Sequence, residues 1–156
     1  MQLKKFMLAT CAISILAIPT AQSQTIGKPQ DQVRWRQSAF QTMAWSMGRV
    51  KANVSGTYNK EQVTQAANTI QALANSNIGS LFAPGTEAAK GWTNTEAKPA
   101  IFTDKEGANK AWLAFAKEAD ELAKVAAAGD AAAVKAQFGK VGQACKGCHD
   151  KFRAED

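Results

Sequence analysis

Four segments of this 156-residue chain repeat apolar side chains at alternating spacings of three and four residues, and this repeat restricts the fold more than any other feature. The segments cover approximately residues 29–54, 60–75, 103–128 and 131–152. Such a repeat lines one face of an α-helix, and that face must be buried against a partner. We find no strand pattern and no internal repeat. The sequence therefore predicts an all-α fold.

Residues with capping preferences mark the ends of these segments. Asn59 and Asp130 are expected to cap the second and fourth helices, because a short polar side chain there accepts a bond from an unpaired N–H. Thr103 and Glu106 have the spacing of a capping box and predict the start of the third helix. Gly129 suits the left-handed position that ends a helix.

The stretch between the second and third helices, residues 77–102, is rich in glycine and proline and has little periodicity. We interpret it as a long crossover loop. Four amphipathic helices with one long crossover are typical of an antiparallel four-helix bundle. The predicted fold is thus a single bundle domain over residues 24–156.

The fourth segment carries the motif Cys145-Lys146-Gly147-Cys148-His149. C-x-x-C-H is the pattern by which two thiols attach a haem and the adjacent imidazole ligates its iron. His149 is the only histidine of the chain. Cys145 and Cys148 fall on the apolar stripe, and His149 follows Cys145 by four residues on the same face. We therefore predict one covalently attached haem c per chain, carried partly inside the bundle, with His149 as the iron ligand.

Three other interpretations of the cysteine pair are weaker. A structural zinc site needs four ligands, and the chain offers two cysteines and one histidine here. A thioredoxin-like pair belongs at a helix N-terminus after a strand. A structural disulfide would leave the adjacent histidine unexplained.

The N-terminus has the pattern of an export signal. Lys4 and Lys5 precede an apolar stretch over residues 6–19, and small residues follow at 21–23. The apolar stretch is too short and too interrupted to span a membrane as a helix. We expect residues 1–23 to be a signal peptide and the mature domain to be periplasmic, without a membrane anchor. Cys11 faintly resembles a lipoprotein attachment site, but it lies inside the apolar run.

The charge of the mature domain is mildly basic. Removal of two lysines with the signal lowers the formal net charge from +6 to +4. No dense basic stripe interleaved with aromatics is present, so nucleic acid is not an expected partner. Lys140, Lys146, Lys151 and Arg153 cluster near the motif and could steer an acidic redox protein, or they could simply form a solvated helix face.

These features together resemble the cytochrome c′ family, the class II c-type cytochromes, over essentially the whole mature chain. The resemblance rests on the C-terminal motif with an arginine four residues beyond its histidine, on the start of the first helix and on two loop sequences. The matching residues are Arg153, Lys28-Pro29, Arg36-Gln37-Ser38-Ala39, Pro84-Gly85-Thr86-Glu87 and Glu96-Ala97-Lys98-Pro99.

The resemblance implies roles for residues outside the motif. It places Arg36, Gln37 and Glu96 around the haem edge, and Arg153 over the proximal side. Arg153 also fits an ordinary basic residue at a helix C-terminus. Arg36 falls on the apolar stripe, where a buried cation needs a partner such as a haem propionate, unless its side chain snorkels to solvent.

The residue that the resemblance places over the iron is Phe40, where family members often have an aliphatic side chain. Phenylalanine cannot coordinate iron, so the first functional hypothesis is a haem protein with five-coordinate iron that exchanges single electrons and binds NO or CO. The second is a six-coordinate, low-spin electron carrier ligated by His149 and Met43. Met43 and Met47 both lie on the inner stripe, where methionine is more often core filler.

An enzymatic role is not expected, because no distal acid–base residue is visible in the sequence. The resemblance also implies a homodimer through the first two helices. Trp35 and Trp45 lie off the inner stripe of the first helix and could line such a surface.

Overall fold

A computed structural model describes residues 26–154, and the predicted signal peptide, residues 1–23, lies outside them together with Cys11. The elements are α1 (Pro29–Ser55), α2 (Lys60–Ala74), α3 (Ala100–Thr103), α4 (Lys105–Ala128) and α5 (Ala131–Phe152), with a 3-10 turn at Ile78–Leu81. Helix α4 packs against α2 and α5, and α1 packs against α2. The predicted all-α, antiparallel four-helix bundle is confirmed.

Local capping chemistry sets three of the helix ends as predicted. Asn59 Oδ1 accepts a hydrogen bond from the Gln62 N–H at 3.0 Å at the start of α2. Asp130 Oδ1 accepts from the Ala132 and Ala133 N–H groups at 2.8 and 3.2 Å at the start of α5. Gly129 ends α4 in the left-handed region at φ 88°, where a side chain would be strained. The Gly129 turn and the Asp130 cap together allow α4 and α5 to be joined by only two residues.

The predicted start of the third bundle helix is wrong. Helix α4 begins at Lys105, and Asp104 caps it by accepting the Gly107 N–H at 2.9 Å. Thr103 instead ends the one-turn helix α3, which follows Pro99. The backbone bends at Asp104, with φ −102° and ψ 65°, so the cap lies one residue later than the Thr103–Glu106 pattern indicated.

The core of the bundle is built from the predicted apolar stripes. Fully buried side chains come from all four long helices, including Val33, Val50, Val63, Ile70, Leu122, Val134 and Val141. The stripe of α1 also buries Arg36 and Ser46, which breaks its apolar character. Among the described residues, no helix is both long and apolar enough to cross a membrane.

Candidate functional site

The cysteine motif lies in the last two turns of α5. Cys145 and Cys148 are half-buried and unbridged, and Cys145 packs against the main core cluster. His149 follows on the next position and is exposed. Two thiols and an imidazole therefore project from one helix end at the edge of the core.

Burial and charge set the protonation of these groups. Burial raises the pKa of the Cys145 thiol, with a further contribution from Cys148, and it also raises the pKa of Cys148. The pKa of His149 is lowered, mainly by the partial burial of its largely exposed ring and then by the positive charge of Arg153, against opposing effects of Asp150 and Glu96. The imidazole is thus biased toward its neutral form, which is the form that ligates a metal.

Arg153 and Glu96, predicted separately, meet in the structure. Arg153 Nε donates to Glu96 Oε2 at 2.7 Å. The backbone reinforces this pairing, because the Lys98 N–H donates to the Phe152 carbonyl at 2.9 Å and the Ala154 N–H donates to the Glu96 carbonyl at 2.8 Å. The crossover is thereby fastened to the end of α5 that carries His149.

Arg36 is buried at 2% exposure and bonds to the crossover. Its guanidinium donates to the Leu81 carbonyl at 3.0 Å, to Thr86 Oγ1 at 2.9 Å and to the Thr86 carbonyl at 3.3 Å. It also donates to Thr95 Oγ1 at 2.7 Å. Burial lowers the pKa of Arg36, and the charge of Glu87 opposes that shift. The crossover thus supplies oxygen partners for this buried cation, where the sequence suggested a propionate.

Gln37 fixes the next part of the crossover. Its Nε2 donates to Thr93 Oγ1 at 3.1 Å and to the Thr93 carbonyl at 3.2 Å, and its Oε1 accepts the Trp92 N–H at 2.8 Å. Gly91 packs so closely on Val33 and Gln37 that a Cβ there would collide with both side chains. The Arg36-Gln37 pair therefore acts as a clamp that shapes the crossover against α1.

Phe40 lies one turn further along α1 within an aromatic cluster that the sequence did not predict. We define the aromatic cluster as Phe40, Phe82, Phe102, Trp112 and Phe115. The Phe40 ring is 6.5 Å from Phe82 and 6.3 Å from Trp112, centroid to centroid. Phe82 reaches Phe102 at 6.1 Å, and Trp112 reaches Phe115 at 5.3 Å. Only the Trp112–Phe115 pair, three residues apart on α4, has a local sequence signal.

These residues suit a covalently attached haem. The two cysteine thiols can form the thioether bonds that attach a haem, and an imidazole with a lowered pKa can serve as the axial ligand of its iron. Phe40, Trp112 and Cys145 all pack, half-buried, against the same core cluster, so an apolar group attached at Cys145 would lie against that cluster. The arrangement fits the group that the motif predicts.

The basic residues near the motif are largely engaged with carboxylates of the same chain. Lys146 Nζ lies 2.6 Å from Asp150 Oδ2, and Lys151 Nζ lies 2.5 Å from Asp104 Oδ2. With the Arg153–Glu96 pair, three of the four cations suggested as a docking patch have an intramolecular partner. Their positive field toward an acidic protein is correspondingly reduced.

Comparisons with known proteins agree on one family. The family described as Cytochrome C′ matches residues 31–153. The cytochrome c′ of Rhodocyclus tenuis is 62% identical over 130 residues, covering 83% of this chain and 98% of that protein. The cytochrome c′ of Allochromatium vinosum is 44% identical over 153 residues, covering 97% of this chain and 99% of that protein.

Solved structures match at the level of the whole domain. The crystal structure of cytochrome c′ from Thermochromatium tepidum superposes with a TM-score of 0.79 at 45% identity, covering 82% of this chain and 98% of that one. Another cytochrome c′, with a TM-score of 0.79, is described as showing ligand-controlled dimer dissociation. Variants of the Alcaligenes xylosoxidans protein have been solved with nitric oxide and with carbon monoxide bound, both with a TM-score of 0.72 and 33% identity.

Proposed function

This chain belongs to the cytochrome c′ family, and from that membership we propose that it exchanges single electrons and binds small neutral gases at a five-coordinate haem. Like the family, it carries a covalently attached c-type haem. When bound, that group supplies a one-electron redox centre and an iron site open to a diatomic ligand. The observation that carries the proposal is the apolar packing around Phe40.

The end of α5 would hold the group. Cys145 and Cys148 would form the two thioethers, and His149 would ligate the iron on the proximal side. Arg153 places a positive charge beside His149 and is itself held by Glu96. That charge disfavours protonation of the imidazole and so favours its role as a ligand.

The clamp on the crossover would position the haem edge. Arg36 and Gln37 hold the crossover from Leu81 to Thr95 through side-chain hydrogen bonds. Glu96, at the far end of the same segment, contacts the helix that carries the motif. These residues therefore link α1 to the attachment end of α5, where a polar haem edge would meet them.

The distal side would be closed to protein ligands. Phe40 offers no donor atom, and His149 is the only histidine of the chain. Met43, the alternative sixth ligand, is 7% exposed and belongs to the apolar core cluster. Its placement favours core filling over ligation, and this favours five-coordinate iron over the low-spin alternative. A pocket without hydrogen-bond donors would disfavour anions and water and admit neutral diatomics.

Relatives support the choice of ligand. The Alcaligenes xylosoxidans cytochrome c′ variants solved with NO and CO share the domain with this chain at 33% identity. We extend that behaviour to this protein and expect NO and CO to bind on the Phe40 side. We assign no enzymatic turnover.

The assembly and location follow from the same membership. We propose that the mature chain is periplasmic, with residues 1–23 removed, and that it forms a homodimer through α1 and α2. Trp35 and Trp45 are 45% and 61% exposed on α1, which leaves apolar surface for such an interface. One structural relative, itself a cytochrome c′, shows ligand-controlled dimer dissociation.

The spin and ligation state of the purified holoprotein tests the proposal. We expect the absorption spectrum of the reduced protein to be that of high-spin, five-coordinate iron and to shift on addition of CO. A sharp, intense alpha band that CO leaves unchanged would contradict the proposal.

A Met43→Leu variant is the matched control. Leucine conserves the volume of this core position and should cost less than about 1.5 kcal/mol of stability. It removes the thioether that could ligate iron. An unchanged spectrum supports five-coordinate iron, whereas conversion of a low-spin spectrum to a high-spin one would establish the His149/Met43 alternative.

A further inference from the structure

The Phe40 ring is held on two sides by aromatic neighbours from two other elements. Trp112, on α4, meets it edge to face, with the ring planes at 69° and the centroids 6.3 Å apart. Phe82, on the crossover, is tilted by 50° at 6.5 Å. A ring packed in this way turns only if one of its neighbours gives way.

The two neighbours are anchored differently. Phe82 lies under the Arg36 guanidinium, 4.4 Å from its centroid, and so belongs to the polar clamp of the crossover. Trp112 is tied by one hydrogen bond, from its Nε1–H to the Ala74 carbonyl at 2.9 Å. That carbonyl lies in the last turn of α2, so the indole links α4 to the end of α2 across the bundle.

We infer that Trp112 is a positioning residue that sets how readily Phe40 moves aside, and thereby the rate at which a gas reaches the iron. The inference rests on the proposed function, in which Phe40 covers the distal face. Displacement of the indole would cost its contact with Phe40 and leave the Ala74 carbonyl without this donor. Trp112 acts through Phe40 and is a determinant of access, not a ligand.

The test compares two substitutions in the reduced holoprotein. Trp112→Phe keeps an aromatic edge but removes the N–H tether, and Trp112→Leu removes both. We expect the CO association rate constant, measured by stopped-flow mixing, to rise by about two- to tenfold in Trp112→Leu, the range set by one edge-to-face contact. Trp112→Phe should give a smaller rise. Leu113→Ala, which truncates an exposed side chain next to Trp112 on α4, should leave the rate constant unchanged.

A second readout needs no gas. The flip rate of the Phe40 ring, followed by NMR in protein with labelled phenylalanine, should increase in both Trp112 variants and stay unchanged in Leu113→Ala. This measurement separates freer motion of Phe40 from a change at the iron.

Phe40→Ala separates failure of the inference from failure of the proposed function. Faster CO association in Phe40→Ala, with both Trp112 variants unchanged, would overturn the role of Trp112 and leave the distal role of Phe40 intact. An unchanged rate in Phe40→Ala would remove the distal role itself, and the inference with it. Faster association in Phe40→Ala and in Trp112→Leu, with the predicted order, supports both.

Discussion

The two halves of α5 are held in the bundle by different forces. In the first half, Val134 and Val141 are fully buried and pack against the apolar core. In the second half, Cys145 and Cys148 are only half-buried, and the helix end is fastened by polar bonds to the crossover. The first half is fixed by apolar burial, whereas the second half buries one large ring, Phe152, and is otherwise held by hydrogen bonds and ion pairs.

The difference separates stability from function within a single helix. Apolar burial provides most of the folding free energy, and it needs only a well-packed surface. The attachment half has to present two thiols and an imidazole in fixed directions, and directional polar contacts suit that task. Substitutions in the two halves should therefore differ in both size and kind.

The largest effect is expected at Leu122, a fully buried α4 residue in the main core cluster with Val134 and Val141. Leu122→Ala should lower the free energy of unfolding by about 2–5 kcal/mol, since it removes packed methyl groups and leaves a cavity. Denaturant unfolding measures this loss. Leu113, on the same helix but 59% exposed, is the matched control, and Leu113→Ala should change stability by less than about 0.5 kcal/mol. Similar losses in both variants would contradict the claim that burial in this core cluster, which holds the first half of α5, provides the stability.

A smaller and more local effect is expected at Arg36. Arg36→Leu removes four hydrogen bonds and leaves buried oxygens of the crossover unpaired, at a cost of about 1–3 kcal/mol. Limited proteolysis should find cleavage within residues 82–99 before the bundle unfolds. Arg36→Lys keeps the charge but not the forked geometry of the guanidinium, so its crossover should be cleaved more slowly than that of Arg36→Leu and faster than that of the wild type. A crossover as resistant in Arg36→Leu as in the wild type would show that the clamp is dispensable.

The smallest effect should depend on pH, at Asp104. The hydrogen bond from Lys151 and the cap contact with Gly107 hold the pKa of this carboxyl below its ordinary value. A carboxyl whose pKa is lowered by folding stabilises the folded protein at any pH above its unfolded-state pKa of about 3.9. This stabilisation is lost as the pH falls through the pKa of the folded state. Asp104→Asn should therefore have a lower melting temperature than the wild type at neutral pH, and the difference should shrink below about pH 4.

Lys151→Gln serves as the control for Asp104, because it removes the ion pair and keeps the helix cap. At neutral pH, Lys151→Gln should also have a lower melting temperature than the wild type, but the decrease should be smaller than in Asp104→Asn. A melting-temperature difference for Asp104→Asn that does not change between neutral and acidic pH would assign the effect to capping alone.

Local chemistry explains which parts of the molecule could be predicted from the sequence. The caps at Asn59 and Asp130 and the turn at Gly129 depend on residues within a few positions, and all three predictions were confirmed. The predicted cap of α4 was wrong by one residue, because Thr103 belongs to the one-turn helix α3 after Pro99 and Asp104 takes the cap. The competing polar residue, Asp104, is adjacent in sequence, so the pattern could not choose between them.

Long-range contacts explain what the sequence could not give. The stripe placed Arg36 inside the bundle, but its partners lie 45 to 59 residues away, on a crossover with no periodic signal. The aromatic cluster likewise draws Phe82 and Phe102 from that segment. By contrast, the cysteine motif and its histidine are contiguous, so their proximity on α5 followed from helical geometry alone.

The bridge between Ala97 and Arg153 has a topological consequence. The last turn of a helix frays readily unless other contacts hold it. Here the last turn of α5 is joined to Glu96, a residue 57 positions earlier, so the intervening chain forms a noncovalent ring. The turn that bears His149 is part of that ring, and its backbone cannot unwind without opening the ring at the crossover.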